Sequence, residues 1–218
     1  FFESASHELK TPITSVKGFA ELLCSEVPLS AKQQSEIAAR ILKETTRMSS
    51  LIGDIIMISR LESGDIMFER ELLDFARVVA DTCNEAVPLA AQNSVRITCE
   101  TQPCVLSASA REMSELVGNL VSNAVRYNKK NGRVDVKLQT ENGAPTLTVF
   151  NTGEPIPPAY QARVFERFYR MDKGRSKANG GTGLGLAIVK HIVSTYGATV
   201  ALSTTPEGNL FTVTFPKS

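Results

Sequence analysis

The sequence lacks several features, and each absence narrows what the chain can be. No apolar run is long enough to cross a bilayer: the best, Leu51 to Ile58, is broken by Asp54, whereas a spanning helix needs roughly 20 apolar residues. No signal peptide opens the chain. The four cysteines, Cys24, Cys83, Cys99 and Cys104, show no Cys-x-x-Cys spacing and have no histidine nearby. That argues against a zinc site or a disulfide framework, favours a reduced, cytosolic compartment, and casts the four as small hydrophobes. Charge of neither sign dominates, with 24 Lys and Arg against 23 Asp and Glu and a net charge of +1. Nothing there favours nucleic acid or an anionic membrane surface. Repeats and low-complexity tracts are absent. The chain also opens at Phe1-Phe2 without an initiator methionine, so it reads as a fragment with any sensing or membrane segment upstream.

At 218 residues the chain has apolar material for one large domain or two modest ones. Apolar residues recur at helical spacing at Leu9, Ile13, Val16, Ala20 and Leu23. After the break at Val27-Pro28-Leu29, Ser30 and Gln33 read as a capping box. The second helix then carries Ile37, Ile41, Met48, Leu51, Ile52, Ile55 and Ile58 in a near-heptad stripe that ends at Ser63-Gly64. A lone hairpin cannot bury both stripes, so a dimer that completes a four-helix bundle is expected. Beyond Gly64 the periodicity changes. It predicts a strand over 68–73, a helix over 75–91 and strands over 95–99, 134–138 and 146–150. Helices follow over 111–127 and 184–196, then strands over 199–203 and 210–215, the last two joined by the turn Pro206 to Asn209. The fold class expected is α+β, a helical hairpin over 1–64 followed by an α/β domain over 65–218.

Three stretches carry the chemistry. In Ser6-His7-Glu8-Leu9-Lys10-Thr11-Pro12, His7 offers a nucleophilic imidazole and Glu8 can accept the proton from one ring nitrogen, freeing the other to attack. Thr11, four residues on, shares the helix face and could position a water. Pro12 cannot donate to the carbonyl of Glu8 and should bend the helix. On the helix over 111–127, Asn119 and Asn123 stand one turn apart, with Arg126 and Tyr127 just beyond. Amide oxygens suit Mg²⁺, which keeps much of its shell as water and phosphate. The cluster Gly180-Gly181-Thr182-Gly183-Leu184-Gly185 opens a helix, where backbone N–H groups and the helix N-terminus could hold phosphate. Between these stretches lie Asn151 to Pro157 at a strand end, the aromatic run Phe165 to Arg170, and a polar, basic tract over 171–179 with the look of a lid.

Together these residues resemble a bacterial sensor histidine kinase of two-component signalling, and the likeness covers nearly the whole chain. Ser6 to Pro12 is similar to the family's H-box and Glu115 to Tyr127 to its N-box. Asn151 to Pro157 resembles its first glycine box, Phe165 to Arg170 its F-box and Gly181 to Gly185 its second glycine box. The resemblance implies a dimerisation and phosphotransfer hairpin joined to an ATP-binding domain with the sandwich shared by gyrase, Hsp90 and MutL. It makes His7 the phosphoacceptor, Glu8 its acid–base partner and Thr11 a residue of the reverse phosphatase reaction on a response regulator. It assigns Mg²⁺ to Asn123 with help from Asn119, phosphate contact to Arg126 and adenine stacking to Tyr127. Arg170 would reach the γ-phosphate, while Gly181, Gly183 and Gly185 line the phosphates. Gly153, Ile156, Phe168, Thr182 and Leu184 join the nucleotide-binding set. The implied cofactors are ATP and Mg²⁺, and the implied partners are a second copy of the chain and a response regulator receiver domain. The implied setting is the cytoplasmic portion of an inner-membrane sensor.

Two positions depart from the family pattern. Asn151 stands where an aspartate is usual, and its amide is expected to accept from the adenine amino group and donate to the neighbouring ring nitrogen. Pro155 replaces a glycine and fixes φ there. These departures motivate the alternative of a degenerate ATP-binding scaffold that docks a response regulator without phosphorylating itself.

Overall fold

A computed structural model of the chain describes residues 2–63, 69–171 and 181–217. The linker expected at 63–68 and the lid tract expected at 171–179 lie almost wholly outside the described residues, as does Gly180. The chain divides into two compact units, residues 1–59 and 60–218.

The first unit is a helical hairpin of α1 (Phe2–Cys24) and most of α2 (Ala31–Ser63), joined by residues 25–30. Ser30 caps α2 as its spacing from Gln33 predicts. The Ser30 backbone N–H and hydroxyl donate to Gln33 Oε1 at 2.9 and 2.8 Å, and the Gln33 N–H donates to Ser30 Oγ at 3.3 Å, a reciprocal capping box. Helix α1 runs unbroken through Pro12. Proline brings no N–H to the carbonyl of Glu8, and hydroxyls crowd the turns around it. Thr11, Thr14 and Ser15 donate to the carbonyls of His7, Lys10 and Thr11 at 3.4, 2.9 and 3.2 Å.

On α2 the expected stripe is at least half-buried at Ile37, Ile41, Met48, Leu51, Ile55 and Ile58, but Ile52 is exposed. A second apolar face, Leu42, Ile52 and Ile56, is 68, 44 and 46% exposed. Leu42 and Ile56 are two heptads apart and so share one side of the helix.

The second unit builds a helical layer on a mixed sheet. Strand β1 (Glu71–Asp74) leads directly into α3 (Phe75–Glu85), whose first turn is capped by the Asp74 carboxylate, which accepts from the Arg77 N–H at 3.1 Å. The helix expected over 75–91 is in fact two, because Pro88 cannot sit in a helix interior. It opens α4 (Val87–Gln92) at the second position instead. Strands β2 (Arg96–Thr101) and β3 (Val105–Ala108) follow, then α5 (Ala110–Arg126), β4 (Arg133–Glu141) and β5 (Ala144–Asn151). A short helix, α6 (Pro158–Gln161), and a 3₁₀ turn (Arg163–Phe165) precede α7 (Gly185–Thr195), β6 (Thr199–Thr205) and β7 (Gly208–Thr214). The four-residue β3 carried no alternation long enough to read. It pairs antiparallel with β1, with Leu73 opposite Leu106.

The main sheet has the order β2-β4-β5-β7-β6, parallel only between β2 and β4. The β4–β5 hairpin turns on Asn142 and Gly143, both at positive φ (52° and 81°). That pair of residue types is the one a two-residue turn of this hand requires.

Side chains alternate as the sheet demands. Val134, Val136 and Leu138 of β4 and Leu147 and Val149 of β5 are at most 1% exposed. Against them lies the apolar face of α5, with Met113, Leu116, Val117, Leu120 and Val121 fully buried, and α7 contributes Ile188, Val189 and Ile192. The expected α+β sandwich is therefore present. Of the four cysteines, Cys83 and Cys104 are buried as small hydrophobes, but Cys24 and Cys99 are exposed.

Candidate functional site

In the hairpin, His7 stands exposed on α1, and Lys10, Thr11, Thr14 and Ser15 line a shallow groove with it. Glu8 is half-buried. Its Oε2 lies 3.5 Å from Arg47 Nη2 on α2, and Arg47 Nη1 lies 3.8 Å from Glu44 Oε2. The Arg47 side chain is only 11% exposed, so a mostly buried guanidinium holds the carboxylate beside His7. Sequence reading passed over Arg47. Its own stretch of chain gives no signal, since Lys43 stands in the same run and most of that run is exposed. The Thr11 hydroxyl donates to the His7 carbonyl at 3.4 Å, which leaves its oxygen lone pairs as the acceptor on that face.

In the second unit the candidate nucleotide residues fall into three clusters. The first forms where β5 ends. Asn151 is 2% exposed, and its Nδ2 donates to the Tyr127 carbonyl at 3.4 Å. A carbonyl only accepts, so this contact fixes which end of the amide faces Tyr127 and turns Oδ1 the other way. The donation to a base expected of Nδ2 therefore competes with Tyr127. A Cβ at Gly153 would stand 2.0 Å from the Tyr127 oxygen and 2.5 Å from Asn151 Nδ2, so only glycine lets the chain turn here. The Tyr127 ring is 37% exposed at the end of α5, free to present a face to a base.

The loop after Asn151 is held by side chains that the sequence did not single out. Asn209 is the register partner of Asn151 on β7 and is 3% exposed. Its Oδ1 accepts the Ile156 N–H at 2.8 Å and its Nδ2 donates to the Glu154 carbonyl at 2.9 Å. Thr152 accepts the Arg133 N–H and donates to Asn128 Oδ1, both at 2.8 Å. Pro155 thus sits in a loop already clamped on both sides.

The second cluster joins α5 to the N-terminus of α7. Asn119 Nδ2 donates to the carbonyl and to Oε1 of Glu115 at 2.9 and 3.0 Å. Its Oδ1 lies 2.5 Å from where a Cβ of Gly185 would be. The glycine therefore makes room for an amide oxygen at the helix N-terminus, where anions are favoured. Asn123 is half-buried one turn along, with Arg126 beyond it. An oxygen-only donor set beside backbone N–H groups fits Mg²⁺ with its phosphate ligands. Asn123 and Asn119 are the residues that would hold the ion, whose role is to neutralise phosphate charge.

In the third cluster the aromatic run meets the glycine turn. The Phe168 N–H donates to the Gly183 carbonyl at 2.7 Å. Both residues have positive φ, 59° and 76°, an outlier conformation for a phenylalanine. A Cβ at Gly183 would lie 3.0 Å from Phe168 Cα and 3.3 Å from Arg170 Nε. Phe165 packs edge to face on Phe211 at 6.3 Å and anchors the run to the sheet. Gly181, Thr182 and Leu184 are buried, and the Leu184 N–H donates to Thr182 Oγ1 at 3.3 Å.

Behind α5, Tyr196 donates to Glu112 Oε2 at 2.5 Å and accepts the Ser109 N–H at 2.9 Å. Burial and the Glu112 carboxylate raise its pKa to about 12.

Known proteins share this architecture and these sequence features. Residues 108–218 match the family model described as histidine kinase-, DNA gyrase B- and HSP90-like ATPase, and residues 1–64 match the His Kinase A (phospho-acceptor) domain. The chain is 33% identical over 217 residues to the phosphate regulon sensor protein PhoR of Pseudomonas aeruginosa, covering 99% of this chain and 49% of that protein. It spans about half the length of the curated relatives it matches. The Acinetobacter baumannii histidine kinase AdeS shares the fold, with a TM-score of 0.77 at 21% identity over 97% of this chain and 98% of that one. Full-length ShkA, solved in complex with AMPPNP, gives a TM-score of 0.71 at 25% identity over 97% of this chain and 44% of its own. Two family models in tandem, together with these likenesses, place the chain in the family of two-component sensor histidine kinases.

Proposed function

We propose that the chain transfers the γ-phosphoryl group of ATP to His7 and from there to an aspartate of a response regulator receiver domain. The observation that carries this reading is the Asn119–Gly185 contact. It puts an amide oxygen at a helix N-terminus, and phosphoryl transfer is mostly a matter of charge neutralisation and positioning. MgATP, when bound, supplies the phosphoryl group and the neutralising cation. Asn123 and Asn119 hold the metal side, Arg126 and Arg170 face phosphate charge, and Gly181, Gly183 and Gly185 let backbone donors approach. Tyr127 covers the base while Asn151, its amide oriented by the Tyr127 carbonyl, offers Oδ1 to the adenine amino group.

On the acceptor side, Glu8 takes the proton from one imidazole nitrogen while the other attacks phosphorus. Arg47 holds that carboxylate in place. In the reverse, phosphatase direction, Thr11 positions the water. The hairpin pairs with a second copy through its exposed apolar face, the two functional domains run over 1–64 and 65–218, and the full-length protein is anchored in the inner membrane with this part in the cytoplasm.

Incubation with labelled ATP and Mg²⁺ tests the reading. Acid-labile, base-stable label should appear on the wild-type chain and be absent from His7→Gln. Bound ATP with no label on the wild type would favour the non-catalytic scaffold, and label surviving in His7→Gln would overturn the acceptor assignment.

A further inference from the structure

The first turn of α5 is capped through a residue of another helix. Ser109 to Glu112 has the Ser-x-x-Glu spacing of a capping box, in which the glutamate reaches back to the serine N–H. Here the Ser109 hydroxyl makes no cap bond, and the Tyr196 hydroxyl stands between the two partners. It accepts the Ser109 N–H at 2.9 Å and donates to Glu112 Oε2 at 2.5 Å. Glu112 is 4% exposed, so the bond satisfies a buried carboxylate. The phenol, its pKa raised by burial and by Glu112, stays protonated at neutral pH and remains a donor.

Tyr196 is the residue that ends α7. The Arg70 guanidinium covers its ring, 4.5 Å from the centroid, and Arg70 Nη2 donates to the Thr195 carbonyl at 3.2 Å. That puts a cation at the helix C-terminus, where the dipole favours one. Helices α5 and α7 are therefore fastened at two points. The capping box joins the start of α5 to the end of α7, and the Asn119 amide meets Gly185 at the start of α7. Glu112 and Asn119 lie about two turns apart and Gly185 and Tyr196 about three, so each pair shares a helix face. Leu116 on α5 and Ile188 and Ile192 on α7 are buried between these points. Apolar burial has no direction of its own, so the polar contacts set the register.

We propose that Tyr196 is a positioning residue for the metal–phosphate site: by completing the capping box of α5 from the end of α7, it fixes the register of the two helices and holds Gly185 against Asn119. The proposal rests on the reading that this site binds ATP with Mg²⁺.

The test compares the wild-type chain with Tyr196→Phe, which keeps the ring under Arg70 and removes the hydroxyl. The Glu112 carboxylate can then close directly on the Ser109 N–H. The first turn of α5 stays capped, and the unfolding temperature should stay close to the parental one while α7 is released. Calorimetric titration reads two probes: AMPPNP with Mg²⁺, and adenosine, which engages the base cluster alone. With Tyr196→Phe the affinity for AMPPNP and Mg²⁺ should fall about tenfold, the loss of one hydrogen bond to a charged group, while that for adenosine holds. Glu112→Gln keeps an acceptor for the hydroxyl and should leave both affinities near parental. Glu112→Ala removes the acceptor and should match Tyr196→Phe, with the double variant no weaker than either single. Equal losses for both probes would reduce Tyr196 to a structural residue, and unchanged affinities for both would leave α7 positioned without it. Either result overturns the proposal. A wild-type chain that binds AMPPNP with Mg²⁺ no better than adenosine would overturn the reading of the site itself, and the proposal with it.

Discussion

The hairpin and the nucleotide domain draw on similar residues but place them differently. In the domain, Phe75, Met113, Leu116, Leu120, Leu147 and Ile188 are at 0% exposure, and buried polar groups such as Asn209 and Thr152 meet partners at 2.8–2.9 Å. In the hairpin, Ile13, Leu22, Leu42 and Ile56 stay between 46 and 68% exposed, and its described side-chain hydrogen bonds go mostly to the carbonyl of the preceding turn. Fully burying one such aliphatic side chain contributes about 1.5–3 kcal/mol. The domain has already collected that stabilisation, whereas the hairpin keeps much of it in reserve for association. Under the proposed function, the nucleotide pocket is thus specified within one chain, whereas the hairpin is expected to be completed by a second.

The sharpest way to break this contrast is Gly208→Ala in the domain. A Cβ there would stand 1.9 Å from the Asn151 carbonyl oxygen and 2.8 Å from its carbon. No rotamer relieves a clash with backbone, and overpacking of this kind costs about 1–3 kcal/mol or more. The unfolding temperature should drop and ATP binding should be lost, with the solution mass unchanged. Parental values of both would mean that the pocket is far less tightly specified than its packing indicates.

A smaller effect is expected from Asn209→Ala, which deprives the Ile156 N–H and the Glu154 carbonyl of their partner. Because Glu154 is exposed, water repairs one of the two losses, leaving a cost of about 1–2 kcal/mol. Calorimetric titration should show ATP affinity reduced several-fold while Asn209→Asp, which keeps the acceptor, is milder. Equal affinities for the three proteins would remove Asn209 from the account.

The smallest effect belongs to the hairpin. Arg47→Gln should slow label incorporation on His7 by roughly fivefold, the equivalent of about 1 kcal/mol for a partly screened pair, and Arg47→Lys should recover part of it. ATP affinity and solution mass should stay put. An unaltered rate would show that Glu8 is positioned by other groups.

Much of this organisation was legible in the sequence because it rests on local rules. The Ser30–Gln33 box, the 3.6-residue rhythm of α5 and the alternation in β4 are each set by neighbours within a few positions. The motif positions at Asn119, Asn151 and Gly185 were visible for the same reason: special chemistry needs special residue types. What escaped depended on distance. Asn209 matters because β7 lies beside β5, and Arg47 because α2 folds back along α1. Neither leaves a mark in its own stretch of chain. The break at Ala86 was readable in principle, since Pro88 announces it, but the surrounding apolar pattern continued across it. The Asn151 amide nitrogen is drawn away from its expected role by the Tyr127 carbonyl, a partner that the strand-end motif does not contain.

The contrast between the two units is tested most directly by solution mass across a dilution series, with ATP affinity read on the same samples, for the wild-type chain and a Leu42→Glu, Ile56→Glu variant. The prediction is a mass of two chains for the wild type and of one for the variant, with equal ATP affinity. A wild type that is single at every concentration, or a variant whose ATP affinity collapses together with its mass, would contradict it.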